Sequence, residues 1–245
     1  MIQFYAPDIE TTGCLPEEES GHAVRVLRME PGRRIRVVDG RGGCFECEIT
    51  SARPKCVQLR IVETVRPPKP WQGRITLAVA PTKNFDRMEW LMEKAVELGI
   101  DRFVPVVCRH SERRVVKTDR LRRIAVSAMN QSLKTELPQI DEAMPLADFL
   151  REPHAGECFM GYCSDEVERR LLAPTYTPGA DATILIGPEG DFSPEEVRQA
   201  LDAGFIPVSM GEQRLRTETA ALIGVATIHI ANQIADSRGA ASPQK

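Results

Sequence analysis

The period of apolar positions changes once along the chain, at residues 65–71. Before that point the pattern is mostly two-residue alternation. Residues 33–38 and 45–50 alternate, with Asp39-Gly40-Arg41-Gly42-Gly43 as a hairpin-type turn between them. Residues 2–5 and 57–63 read as further strands, and residues 18–29 as a short helix closed by Pro31-Gly32. Strands of this kind with few helices predict a small β-barrel over residues 1–70. The change falls on Val65-Arg66-Pro67-Pro68-Lys69-Pro70-Trp71, where three prolines in four positions break both helix and sheet and stiffen a connector.

After the connector, strands and helices alternate. Residues 75–80 form an apolar run. Phe85, Met88, Leu91, Met92, Ala95 and Leu98 then recur at helical spacing, with Gly99 placed to end the helix. Residues 103–108 read as a strand despite Pro105. Thr118 is placed to cap a helix carrying Leu121, Ile124, Ala125, Ala128 and Met129. Residues 184–186 and 205–210 are short strands, and 219–234 is a long, mostly apolar last helix, with disorder expected from Ser237 onward. This alternation predicts a parallel sheet covered on both faces, so residues 71–245 form an α/β domain.

Composition changes this picture little. With 245 residues, 42% apolar and 27% charged, the chain fits a globular protein with room for a small and a medium domain. No apolar run reaches the length of a membrane span, and no export signal opens the sequence. A cytoplasmic location is therefore expected, with the seven cysteines as reduced thiols. Cys44 and Cys47 have the spacing of half a zinc site, but no second pair matches them, so no metal is expected. His229, inside the apolar last helix, reads as a packed core residue.

Charge adds more. The net charge is −3, yet eight Lys and Arg lie in residues 102–123 against Glu112 and Asp119, and five Arg lie in 22–36 against Glu30. Two basic stretches on a slightly acidic protein suit phosphate contacts, and equally suit solvated faces.

Two loops leave buried strands, where open α/β sheets place their ligands. The first is Ile186-Gly187-Pro188-Glu189-Gly190-Asp191-Phe192-Ser193-Pro194-Glu195-Glu196. Its second half is a helix start, with Ser193 as N-cap, Pro194 in the first turn and Glu196 completing a capping box. That accounts for nothing before Ser193. Two glycines around Pro188-Glu189 bring bare backbone to the sheet edge, either as a tight turn or to hold a ligand. The second loop is Met210-Gly211-Glu212-Gln213-Arg214-Leu215-Arg216-Thr217-Glu218-Thr219-Ala220. Thr217 and Glu218 suit a helix start, whereas Arg214 and Arg216 beside a buried strand end call for an anion or a polarised oxygen. Neither loop is a P-loop or a dinucleotide fingerprint, which disfavours ATP hydrolysis and ordinary dinucleotide binding.

Together these two loops resemble the signature of the RsmE-type methyltransferases of the SPOUT superfamily. Residues 22–28, 83–88, 93–99, 109–113 and 128–132 agree in order and spacing, so the resemblance spans residues 4–234. Two places depart from the family pattern. Asp191-Phe192 stands where many relatives carry other small or apolar pairs, and Gln131-Ser132-Leu133-Lys134 replaces Gln-Ser-Gly-Arg. The resemblance implies a PUA-like RNA-binding β-barrel over 1–70, followed by a trefoil-knotted α/β methyltransferase domain over 71–245, one of the few exceptions to unknotted folding. It implies methylation of N3 of one uridine in 16S ribosomal RNA of the small ribosomal subunit. S-adenosyl-L-methionine would be the cofactor and a homodimer the assembly.

On this resemblance, the cofactor-binding residues are Ile186, Gly187, Pro188, Glu189, Gly190, Met210, Gly211, Leu215, Arg216, Thr217, Thr219 and Ala220. Uracil N3 carries a proton at neutral pH, so the site must favour the anion that spreads onto O2 and O4, as an oxyanion hole does. Arg216 is the first candidate for that role and Arg214 the second. Glu218 or Glu189 would accept the proton, or orient an arginine or the helix end. Candidates for RNA contact are Arg25, Arg28, Arg33, Lys83, Arg87, Arg109, Arg113, Arg114, Gln131 and Lys134. Two rival readings are a non-catalytic RNA-binding assembly factor and a knotted ribose methyltransferase acting on transfer RNA.

Overall fold

The computed structural model describes residues 2–163 and 167–240, with the side chains of 239 and 240 left aside. The chain divides into two compact units. The first holds the residues up to Pro70 together with Val126–Leu137; the second holds Trp71–Ala125 and the residues from Pro138 on. The main run of the first unit ends at Pro70, within the proline-rich connector, and residues 126–137 group with it.

The first unit begins with β1 (Gln3–Tyr5), α1 (Ile9–Thr12) and α2 (Glu17–Gly21), followed by β2 (Arg34–Val38), β3 (Cys44–Arg53) and β4 (Cys56–Val65). These strands form one sheet in the order β1-β2-β3-β4, with β1 parallel to β2 and the others antiparallel. Inward positions of the alternating strands supply the core: Phe4, Ile35, Val37, Phe45, Ile49 and Val57 are buried together. The turn after β2 is fixed by Asp39, whose Oδ1 accepts hydrogen bonds from the backbone N–H of Arg41 (2.7 Å) and Gly43 (2.8 Å).

Two expectations for this unit are corrected. The helix expected over 18–29 is broken: α2 ends at Gly21, a π-helical turn covers His22–Val26, and Arg28 lies at φ 51°. The cysteines are not all free, because Cys14 and Cys56 form a disulfide. Cys44 and Cys47 are buried thiols, and burial pushes Cys47 up to about 11.

From Trp71 on the chain runs β5 (Ile75–Val79), α3 (Phe85–Leu98), β6 (Arg102–Val107), α4 (Thr118–Gln131, whose residues from 126 on group with the first unit), β7 (Gln139–Ile140), β8 (Met144–Pro145) and α5 (Leu146–Phe149). It continues with β9 (Glu157–Gly161), β10 (Arg170–Leu171), α6 (Leu172–Thr175), β11 (Ala182–Ile186), α7 (Pro194–Asp202), β12 (Ile206–Ser209) and α8 (Thr217–Ala240). The main sheet has the order β10-β12-β9-β11-β5-β6-β7, with β8 beside β6, and each of these pairings is parallel. Every residue of β5 and β11 is buried, which is why they read as continuous apolar runs.

Gly99 ends α3 at φ 110°, where a Cβ would meet the Trp71 ring at 2.8 Å. The Gly99 carbonyl lies 2.8 Å from His229 Nε2, which gives that histidine its packing role. Thr118 opens α4, but its hydroxyl donates to the Glu142 carboxylate at 2.7 Å instead of capping the helix. The last helix starts earlier and ends later than its apolar pattern. Residues 237–240 are helical, not disordered, and 241–245 lie outside the described residues.

Candidate active site at the carboxyl edge of the sheet

Strands β9, β11 and β12 finish side by side: Gly161 is in register with Ile186 on one side and with Val208 on the other. The chain leaving each strand, with the first turn of α8, encloses a cavity of about 690 Å³. That volume is typical of a small-molecule site. From the first predicted loop, Ile186, Gly187, Pro188 and Glu189 line it; from the second come Met210, Gly211, Arg214, Leu215, Arg216, Thr217 and Ala220.

Two of the predicted cofactor-binding residues are not in this wall. Gly190 faces His110, whose Cβ a substituent there would approach to 3.2 Å, and Thr219 lies in the first turn of α8. Glu218 is also absent from the wall. It is buried, 6% exposed, and its Oε1 lies 3.6 Å from Arg87 Nε. Nine lining residues were not anticipated, among them Gly161 at the end of β9, Tyr162 and Cys163 just after it, Arg169, and Asp191.

Short-range bonds shape the wall. The Thr217 hydroxyl donates to the Gly187 carbonyl at 3.2 Å, tying one loop to the other. A Cβ at Gly187 would meet the Phe192 ring at 2.9 Å, so only glycine leaves room there. Glu189 Oε1 accepts from the Lys83 backbone N–H at 3.1 Å. The expected capping box is formed at α7: the Ser193 N–H donates to Glu196 Oε2 at 2.8 Å and the Glu196 N–H to Ser193 Oγ at 3.4 Å. Glu196 Oε1 also accepts from the Arg109 N–H at 2.7 Å. His110, donating from Nδ1, reaches the carbonyls of Gly190 at 3.2 Å and Asp191 at 3.0 Å.

Electrostatically the wall is mixed. Arg214 and Arg216 are exposed, with no carboxylate in ion-pair range among the described residues. Their exposure removes the desolvation cost that the sequence suggested, while leaving both charges available. At the Cys163 thiol, burial pushes the pKa up; Asp191 adds to this, while Arg169 and Arg214 oppose it.

A model of the RNA methyltransferase domain matches residues 69–229. The chain belongs to this family. A second model, of the RNA methyltransferase PUA domain, matches residues 15–62. The ribosomal RNA small subunit methyltransferase E of Aquifex aeolicus is 30% identical over 90% of this chain and 95% of its own. A solved Porphyromonas gingivalis protein assigned to the rRNA methyltransferases is 47% identical, with TM-score 0.90 over 96% of this chain and 100% of its own. The Neisseria gonorrhoeae ribosomal RNA small subunit methyltransferase E, solved with S-adenosyl methionine bound, is 27% identical, with TM-score 0.79 over 94% of this chain and 97% of its own. The family resemblance carried by the two loops thus holds along nearly the whole chain.

The basic residues expected to face RNA differ in how free they are. In the first unit Arg25, Arg28 and Arg33 are exposed, and Gln131 and Lys134 lie at and beyond the end of α4. In the second unit Arg109 and Arg114 are exposed. Lys83 instead pairs with Glu112 at 2.8 Å, and Arg87 with Glu218. Arg113 donates to the carbonyls of Thr82 and Lys83 while its guanidinium lies over the Phe85 ring.

Proposed function

We propose that this RNA methyltransferase transfers a methyl group from S-adenosyl-L-methionine to N3 of one uridine in 16S ribosomal RNA of the small subunit. The observation that carries the reading is the cavity at the ends of β9, β11 and β12, with two uncompensated arginines on its rim. The residues present fit the cofactor. At Gly211, with φ 130°, a Cβ would meet nothing within 4 Å, so bare backbone there lets a flat ligand approach closely, while Gly161 and Gly187 give their space to the Ile186 and Phe192 side chains. Ile186, Gly187, Pro188, Met210, Gly211, Leu215, Thr217 and Ala220 would hold it, and it supplies an electrophilic methyl group when bound.

The protein's own part is to prepare the base. Arg216, with Arg214 second, stabilises the charge that spreads onto the uracil oxygens as N3 loses its proton. Glu189, which lines the cavity, takes that proton; Glu218, paired with Arg87 outside the wall, orients that arginine and the start of α8. The target base must leave its stack to reach such a cavity. Arg25, Arg28, Arg33, Arg109, Arg114, Gln131 and Lys134 grip the phosphates, while Arg87 and Arg113 brace the site from within and Lys83 is held in its exposed pair with Glu112.

Three further readings belong with this one. Residues 187–220 form the threaded part of a trefoil knot, which the insertion of β12 between β9 and β10 supports. The enzyme is a homodimer, with α8 in the interface; Ile230 and Ile234 on that helix are 54% and 47% exposed. It works in the cytoplasm; among the described residues no helix is long and apolar enough to cross a membrane.

The test is transfer of labelled methyl to small ribosomal subunits lacking the modification, with the product nucleoside identified by mass spectrometry. 3-Methyluridine is the expected product. A ribose-methylated nucleoside, or tight RNA binding without transfer, would overturn the reading in favour of a ribose methyltransferase or a non-catalytic assembly factor.

A further inference from the structure

Asp191 sits in the cavity wall at φ 59°, a left-handed backbone conformation that glycine takes freely and L side chains disfavour. It is held there from several sides. Its N–H donates to the Pro188 carbonyl at 2.9 Å, and its own carbonyl accepts from His110. Its carboxylate is held as firmly: Oδ1 accepts from the Phe192 N–H at 2.9 Å, and Oδ2 from the Cys163 N–H at 3.3 Å. Asp and Asn are the L residues that adopt this conformation most readily, and a carboxylate fixed so thoroughly in a cavity wall is available for a task there.

Bridging the chain after β9 to the chain after β11 explains the hydrogen bonds, but asparagine could do as much. What aspartate adds is a negative charge that two backbone donors prevent from swinging away. The other carboxylates of the wall are placed differently. Glu189 is anchored to Lys83, and Glu212 is exposed on the second loop. A permanently cationic sulfonium is what distinguishes S-adenosylmethionine from S-adenosylhomocysteine, its neutral demethylated product.

We propose that Asp191 is the counter-charge for the cofactor's sulfonium and makes the site prefer the methylated cofactor over the spent one. The proposal rests on the reading of this cavity as the S-adenosylmethionine site. A fixed charge of this kind stabilises the bound reactant, so it acts on affinity and does not accelerate the chemical step.

The experiment is calorimetric titration of the wild type, Asp191→Asn and Asp191→Gly with three ligands. These are S-adenosylmethionine, S-adenosylhomocysteine, and sinefungin, which carries an ammonium where the sulfonium stands. Both variants accept the left-handed backbone, so both are expected to fold. In each, affinity for S-adenosylmethionine and sinefungin should fall roughly tenfold, and that for S-adenosylhomocysteine by less than about twofold. The single-turnover rate at saturating cofactor should not fall. An equal loss for all three ligands would reduce Asp191 to a latch between loops, and no loss for any would remove it from the cofactor altogether; either result overturns the proposal. A wild type that binds none of the three would overturn the reading of the cavity itself.

Discussion

The two edges of the second unit's sheet use arginine in opposite ways. At the amino edge, Arg102 at the start of β6 meets Asp141 through Nε at 2.9 Å and Glu152 through Nη1 at 2.9 Å. A smaller cavity there, about 240 Å³, is lined by Arg74, Arg102, His154 and Asp181 among others, and Asp181 accepts from the Arg74 N–H at 2.7 Å. At the carboxyl edge, Arg214 and Arg216 meet no carboxylate among the described residues. Cancelled charge holds strand ends in place; uncancelled charge is left for something that is not protein. Residue type is the same at both edges, so the difference lies in what the neighbouring loops supply.

The sharpest way to break this contrast is Arg216→Ala. Methyl transfer should drop by about 10²–10³-fold, the scale of losing one transition-state donor. The Kd for S-adenosylmethionine should stay within about threefold. Single-turnover rates and calorimetry separate the two, and a rate equal to wild type would remove Arg216 from the chemistry. Arg102→Ala should give the reverse pattern. It leaves Asp141 and Glu152 without their shared cation, costing about 1–3 kcal/mol and several degrees in Tm. Cofactor affinity should be unchanged.

The smallest effect concerns His154. Burial lowers its pKa, outweighing the opposing influence of Glu152, and its ring lies between Phe149 and Phe205 at 4.7 and 5.2 Å. The unfolded chain then binds this proton more tightly than the folded one. Stability is fully present above the ordinary value of 6.5 and is lost as pH falls below it. His154→Phe should therefore flatten part of the fall in Tm between about pH 7 and 5, with cofactor affinity unmoved. An unaltered pH profile would detach this edge from acid sensitivity.

How much of this was legible depended on length and chemistry. The two loops were readable because Ser193, Pro194 and Glu196 mark a helix start, and because Arg214 and Arg216 had no structural task. β9 was not. Its buried residues Cys158, Phe159 and Met160 form a run too short to show a period, and a strand covered on both faces has no alternation to display. The miss hid Gly161, Tyr162 and Cys163, and so one wall of the cavity. The π-helical turn after α2 was invisible for another reason, since spacing alone does not tell four-residue from five-residue hydrogen bonding. Asp191 and Leu133 stood out as departures from the family pattern. Both lie at positive φ, 59° and 55°, a property that only coordinates reveal.

The strand order also sets a timetable. β5 pairs with β6 on one flank, but its other flank, Ile75 to Ala182 in register, belongs to β11. On a ribosome adding about 5–20 residues per second, β5, buried along its whole length in the finished fold, waits roughly 5–20 s for that neighbour to be made. Closing so long a loop is entropically slow. During synthesis this unit therefore exposes an unpaired, aggregation-prone edge at its centre, and its birth is a stage at which a chaperone has something to hold.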